Sequence, residues 1–300
     1  MILLLMEIRS KRLSKKSMNN MNQLIVVNKP INYTSRDVVN KLSHILNYKK
    51  IGHTGTLDPL ATGVLVCVCG KYTKLVDLIT SLDKEYVATI RLGIKTDTLD
   101  ITGGILEEQE VSLSLEKISK AIAEFPKSYN QEVPKYSAVK INGKKLYEYA
   151  RENIDISLPK RLVHIYSLEL INYQDNLITI KAHVSKGTFI RSLIRDLCKN
   201  LNTIGTMESL VRTKQGQFCD TEAYSLDDIA CGNYKSLNIK EFLPYPVREV
   251  DSDIYKKVAN GARIMDTYHI EDKIIFTYEG QDIAIYEKKD DLLKPFLILV

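Results

Sequence analysis

The sequence predicts an α/β chain that ends in a small β unit. Three observations carry this. Residues 85–93 alternate, with Tyr86, Ala88, Ile90 and Leu92 set against Val87, Thr89 and Arg91, the period-2 signature of a strand with two unlike faces. Other stretches keep the spacing of amphipathic helices, such as Val38, Leu42, Ile45 and Leu46, or Ile190, Leu193, Ile194 and Leu197. Leu243-Pro244-Tyr245-Pro246 reads as a linker, and only short strand-like runs and one short helix follow it. At 300 residues there is room for one large domain and one small one.

Composition narrows the class. Hydrophobic residues make up 44% of the chain, enough for a core and too many for a disordered protein. A net charge of +5 is compatible with a nucleic-acid partner. The five cysteines, Cys67, Cys69, Cys198, Cys219 and Cys231, have no framework spacing, so reduced thiols and a cytosolic protein are expected. Cys67-Val68-Cys69 lacks the second pair of a metal site, and its apolar neighbours predict buried strand. No run is long enough to span a membrane. Ile2–Leu5 is too short for a signal-peptide core, and its basic residues follow rather than precede it. Residues 1–22, basic and rich in Ser and Asn, are expected to be a disordered extension or an overlong start, with RNA contact as an alternative.

In chain order, Leu24–Val27 predicts a buried strand ending at Asn28-Lys29-Pro30, and Thr34 or Ser35 caps the next helix. The chain then enters Ile51-Gly52-His53-Thr54-Gly55-Thr56-Leu57-Asp58-Pro59-Leu60-Ala61-Thr62-Gly63, with the apolar run Val64–Val68 behind it. Gly52 and Gly55 allow tight turns or a close approach to a ligand, and Pro59 holds Asp58 extended. A lone carboxylate on a rigid loop suits a single-acid active site; it also suits a simple turn cap. Gly70-Lys71 is followed by Tyr72, which excludes a P-loop. Thr73–Leu82 predicts a helix. Asp97 and Asp100 read as ordering a polar loop, since no further metal ligands converge there. Leu115, Ile118, Ile122 and Phe125 mark a helix that stops at Pro126.

Between 127 and 152, lysines and Arg151 alternate with Tyr136, Tyr147 and Tyr149. Such a segment can neutralise phosphates and stack on bases; a solvated helix with a tyrosine stripe on the core fits equally. Val163–Leu170 and Leu177–Val184 predict neighbouring strands joined near Gln174-Asp175-Asn176. Thr188 is the expected N-cap of the following helix. Arg191 then falls in the first turn, where the helix dipole disfavours a cation by about 0.3–1 kcal/mol, so it needs a partner or exposure. Gly216-Gln217-Phe218 predicts a strand, as do Ile274–Tyr278, Asp282–Tyr286 and Phe296–Val300, with a short helix ending at Val258-Ala259-Asn260-Gly261.

The string Gly52-His53-Thr54-Gly55-Thr56-Leu57-Asp58-Pro59-Leu60-Ala61-Thr62-Gly63 resembles the catalytic motif of the TruB family of tRNA pseudouridine synthases. Lys29-Pro30 with Thr34-Ser35, Asp83-Lys84-Glu85-Tyr86, Leu92-Gly93 through Gly103-Gly104, and Ser185-Lys186-Gly187-Thr188-Phe189-Ile190-Arg191 extend the resemblance over nearly all of residues 24–220. It implies a catalytic domain over 23–243 with a mixed, largely antiparallel sheet. It also implies a tRNA-gripping insertion near 127–152 and a PUA-like RNA-binding domain at 244–300. The implied activity is isomerisation of the uridine at tRNA position 55, in the T loop, to pseudouridine.

By the same resemblance Asp58 is the catalytic aspartate, Arg191 its partner, and Tyr86 packs under the target base. His53 contacts the displaced nucleotide and Leu210 walls the base pocket. Phe189 stands where the family usually carries tyrosine, which keeps the aromatic face and loses the hydroxyl. Lys29, Lys144 and Lys145 are expected substrate contacts, although Lys29 could be an ordinary exposed lysine. No atom is gained or lost in the reaction, so no cofactor and no metal are expected. Asp58 could add to the sugar or base, or take a proton from the sugar. The expected partner is the T arm stem-loop of tRNA, met by a cytoplasmic monomer that needs no membrane and no protein partner. Two other readings are an RNA chaperone without catalysis and a guide-dependent, dyskerin-like enzyme. The Asp58, Tyr86 and Arg191 set disfavours the first; the basic–tyrosine insertion disfavours the second.

Overall fold

The computed structural model describes residues 22–300. The expected N-terminal extension lies outside the described residues except for Asn22. Its side chain accepts from Lys71 N (2.7 Å) and donates to Leu299 O (3.3 Å).

The described residues open with β1 (Gln23–Lys29), α1 (Ser35–Ile45), β2 (Ile51–His53) and β3 (Thr62–Cys69). Thr34 caps α1 in a capping box with Asp37, an arrangement worth about 1 kcal/mol. The helix expected over 73–82 is split into a 3-10 turn, Gly70–Leu75, and α2 (Val76–Thr80). Next come β4 (Lys84–Leu92), β5 (Ile94–Thr96), β6 (Ile105–Glu108) and α3 (Leu115–Ala123). The basic–tyrosine segment folds as β7 (Ser128–Glu132), the small hairpin β8 (Lys140–Ile141) and β9 (Lys144–Lys145), and α4 (Leu146–Arg151). The long β10 (Lys160–Gln174), β11 (Leu177–Val184) and α5 (Ile190–Asn200) follow. Then come β12 (Gly205–Gln215), β13 (Phe218–Cys219), α6 (Leu226–Ala230) and α7 (Ile239–Phe242).

These strands form one sheet in the order β1-β3-β12-β4-β11-β10-β7, with β2 added on β3 and β13 on β12. Only the β3–β12 pairing is parallel, so the sheet is mixed and largely antiparallel, as expected. The strand expected at 216–218 holds only at Phe218, which opens β13; Gly216, at φ +55°, and Gln217 form the turn, and the longer strand before them is β12, in the middle of the sheet. Register shifts at Met207/Ser209 and Arg212/Lys214 break its alternation, which hides it from a period-2 reading.

The C-terminal unit comprises β14 (Val247–Glu249), α8 (Ser252–Ala259), β15 (Ile264–Met265), β16 (Lys273–Tyr278), β17 (Gln281–Lys289) and β18 (Leu292–Ile298). Its sheet runs β14-β16-β17-β18-β15. It shares an apolar cluster with the large sheet, in which Leu24, Val26, Val64, Val66 and Val68 meet Ile275, Ile285, Leu297 and Leu299. Tyr72 Oη donates to Asp282 Oδ2 (2.9 Å) across the same seam. No helix of the described residues is long and apolar enough to cross a membrane.

Candidate active site

The loop between β2 and β3 is pinned along its length. Thr54 N donates to Val66 O (3.0 Å), and Gln215 Nε2 donates to Thr54 O (2.6 Å). Leu57 N donates to Ser35 Oγ (2.9 Å) and Ala61 N to Asp58 O (3.0 Å). Lys29, wholly buried, donates to the carbonyls of Pro30, Tyr33 and Pro59. Burial lowers its pKa to about 8, against the pull of Asp58. Lys29 is therefore not an ordinary exposed lysine: its ammonium ties the turn after β1, through Pro30 and Tyr33, to Pro59 of the loop that carries Asp58.

Asp58 is the partner that Arg191 needs in the first turn of α5. Its Nε lies 2.9 Å from Asp58 Oδ2 and its Nη2 donates to Asp58 Oδ1 at 3.1 Å. This is a two-point fork, stronger and more directional than a single ion pair. The remaining donors reach Thr98 O (2.9 Å) and Tyr136 O (3.0 Å), and Asp100 Oδ2 lies 3.8 Å from Nη1. Thr188 does not cap α5. Phe189 is the N-cap residue, and Thr188 Oγ1 donates to Ser185 O instead (2.9 Å). Gln131, from β7, takes over: its Oε1 accepts from Phe189 N (2.8 Å). Ser192 Oγ and Arg195 Nη2 both donate to Glu132 O (2.8 and 3.3 Å). The end of β7 thus clamps the start of the helix that carries Arg191.

Burial pushes the Asp58 carboxyl above the usual carboxylate range; Arg191 opposes this and Asp100 adds to it. A third of the Asp58 side chain still faces the cavity; Oδ1 accepts from Arg191 Nη2, and Oδ2 lies in ion-pair contact with Nε. Arg191 thus favours the ionised form against the burial that disfavours it.

Asp58 and Arg191 line a cavity of about 870 Å³ together with Tyr86, Phe189 and Leu210. Its charged lining is six cations, Lys84, Lys140, Arg161, Lys186, Arg191 and Arg212, against the two carboxylates of Asp58 and Asp77. That excess suits a polyanion. The pleat of the sheet explains the grouping. Tyr86 pairs with Arg212 and Ala88 with Leu210 across β4 and β12, so these side chains share one face.

His53, Lys144 and Lys145 lie outside the cavity lining. His53 ends β2 with its Nδ1 buried and unpartnered. Burial lowers its pKa, and Arg36 and Arg212 lower it further. Lys144 pairs with Glu152 and stands 4.9 Å from the Tyr149 ring; Lys145 stands 5.3 Å from the Tyr147 ring. Asp97 and Asp100 order their loop through Gly104 N (2.8 Å) and Thr102 N (3.1 Å), as expected. Sequence reasoning missed Arg212, Gln131 and the approach of Asp100 to Arg191. The sole prior signal was the demand of Arg191 for partners.

Residues 43–190 match the family described as TruB family pseudouridylate synthase (N terminal domain). The chain is 40% identical over 259 residues to the tRNA pseudouridine synthase B of Caldanaerobacter subterraneus subsp. tengcongensis, covering 86% of this chain and 91% of that protein. It is 41% identical over 274 residues to the tRNA pseudouridine synthase B of Mesoplasma florum, covering 90% and 95%. In fold it is similar to a chain of an H/ACA RNP bound to a substrate RNA containing 2′-deoxyuridine, with TM-score 0.70, 20% identity, and coverage of 97% of this chain and 88% of the other. A chain of a Cbf5-Nop10-Gar1 complex gives the same TM-score, 0.70, at 21% identity and the same coverage, 97% and 88%. Fold and relatives together place this chain among the pseudouridine synthases. Within that class it belongs to the TruB family.

Proposed function

We propose that this chain converts a uridine of tRNA to pseudouridine, that the target is position 55 in the T loop, and that Asp58 is the catalytic group. The observation that carries the reading is the Asp58–Arg191 fork in the wall of a cation-rich cavity that also holds Tyr86. In the reaction the bond from ribose C1′ to uracil N1 breaks, the base turns, and C1′ bonds to C5. The proton of C5 is lost and N1 gains one, so no atom is gained or lost overall. An ionised Asp58 can add to the sugar or base or take a proton from the sugar, and Arg191 keeps it ionised next to RNA phosphate.

Tyr86 supports the detached uracil, with Phe189 and Leu210 as the apolar walls. The target must be flipped out of the folded loop, which costs a few kcal/mol; His53 meets the nucleotide displaced from the cavity. Lys144 and Lys145 grip the T arm, and the C-terminal sheet is a PUA-like RNA-binding unit. The chain acts as a cytosolic monomer.

Asp58→Asn tests the reading. It keeps size and shape and removes the charge and the reactive oxygen. Single-turnover conversion of an isolated T arm stem-loop should fall by more than about three orders of magnitude, with affinity kept within a few-fold. Activity within tenfold of the parent would remove Asp58 from the chemistry.

A further inference from the structure

Two buried cations in the cavity wall have no part in the fork. Lys84 is 7% exposed and Arg212 1% exposed, and both line the cavity. Lys84 stands two residues before Tyr86 on β4, and Arg212 pairs with Tyr86 from β12. The pleat therefore sets all three on one face. Their hydrogen bonds go to neutral carbonyls. Lys84 Nζ donates to Thr80 O and Leu82 O (both 2.6 Å). Arg212 Nε donates to Val64 O (2.7 Å) and Nη2 to Gly55 O (3.1 Å).

The carboxylates flanking Lys84 are engaged elsewhere. Asp83 pairs with His183, and Glu85 with Lys181 and Lys214. Among the described residues Arg212 Nη1 has no hydrogen-bond partner, and Lys84 retains one N–H of its three. Gly55 leaves that nitrogen open: a Cβ there would stand 3.3 Å from Nη1. Burial lowers the Lys84 pKa to about 8, with Arg212 adding to the shift. Two nearly buried cations that repel each other and face a cavity need an anion to complete them.

We propose that Lys84 and Arg212 form an anion subsite that receives one backbone phosphate beside the target uridine, at the Tyr86 end of the cavity. This rests on the pseudouridine synthase reading of the same cavity. The phosphate would anchor the flipped nucleotide on Tyr86 independently of the Asp58–Arg191 pair.

The test uses T arm stem-loops that each carry one neutral methylphosphonate linkage, stepped across the residues flanking the target. With the wild-type chain, one linkage should cost about tenfold or more in single-turnover conversion, and its neighbours much less. Lys84→Gln should lose a similar factor on the unmodified RNA and little further on the RNA neutral at that linkage. Multiplying losses in the double combination would overturn the subsite. Should Lys84→Gln fail to fold, the wild-type scan decides alone, and small uniform losses across all linkages overturn it. Failure of the wild-type chain to convert the unmodified stem-loop would instead sink the proposed function, and the subsite with it.

Discussion

Asp58 and Arg191 meet at two points, Nε to Oδ2 at 2.9 Å and Nη2 to Oδ1 at 3.1 Å. Arg191→Lys keeps the charge and loses the planar fork. Turnover should fall by at least about tenfold while RNA affinity stays within a few-fold; equal losses in both would make Arg191 a binding residue only. The pH profile gives a second view of the same pair. Burial raises the Asp58 pKa above that of an ordinary carboxyl, and Arg191 restrains the rise. On the proposed reading Asp58 works in its ionised form, so activity should be lost as pH falls through that raised value. In Arg191→Lys the restraint weakens, and the acid limb should move to higher pH. Superimposable limbs for parent and variant would show that the fork does not govern ionisation. Asp58, Tyr86 and Arg191 were legible because each sits in a contiguous motif. Arg212 was not, because a buried arginine bonded to Val64 and Gly55 carbonyls looks in sequence like any surface arginine. Lys29 was hidden for the same reason: the chain order does not disclose three carbonyls converging on one ammonium.

The Asp58 loop is held beside the one parallel pairing between strands of the large sheet among the described residues, where β3 meets β12 at Thr62–Val211 and Gly63–Arg212. Gly63 has φ +94°, and a Cβ there would stand 2.3 Å from Arg212 O. Gly63→Ala combines a backbone that L side chains resist with a collision against main chain, so a loss above about 3 kcal/mol is expected. Urea denaturation measures it, and a change below about 1 kcal/mol would mean that the strands separate easily there. Helices and regular strands were legible where the period was clean, as in β4 and β11. β12 was not, since two bulges reverse its alternation and its inward positions include Arg212 and Gln215. The N-cap of α5 was misplaced by one residue, since the group satisfying Phe189 N is Gln131, 58 positions away. No local rule sees such a partner.

At the scale of the molecule, RNA affinity should be dominated by phosphate neutralisation and fall steeply with salt. Replacing Lys144 and Lys145 together by alanine should flatten the log–log slope by about one to two units. Because Lys144 already pairs with Glu152, the lower figure is expected; an unchanged slope would take the β8–β9 hairpin out of the interface. The C-terminal unit sets a different constraint. Its Ile275, Ile285, Leu297 and Leu299 complete a cluster begun by Leu24 and Val26 of β1 and by Val64, Val66 and Val68 of β3. Ending the chain at residue 243 would bare that face, and the shortened protein should aggregate or melt well below the parent in a thermal scan. A soluble, equally stable fragment would show the seam to be dispensable. The same seam bears on descent. A lineage could not shed this appendage, or trade it for another, by moving a gene boundary alone. Several valines on the reverse of the strand that leads out of the Asp58 loop would have to turn polar in the same step, so the two units are expected to have been inherited together.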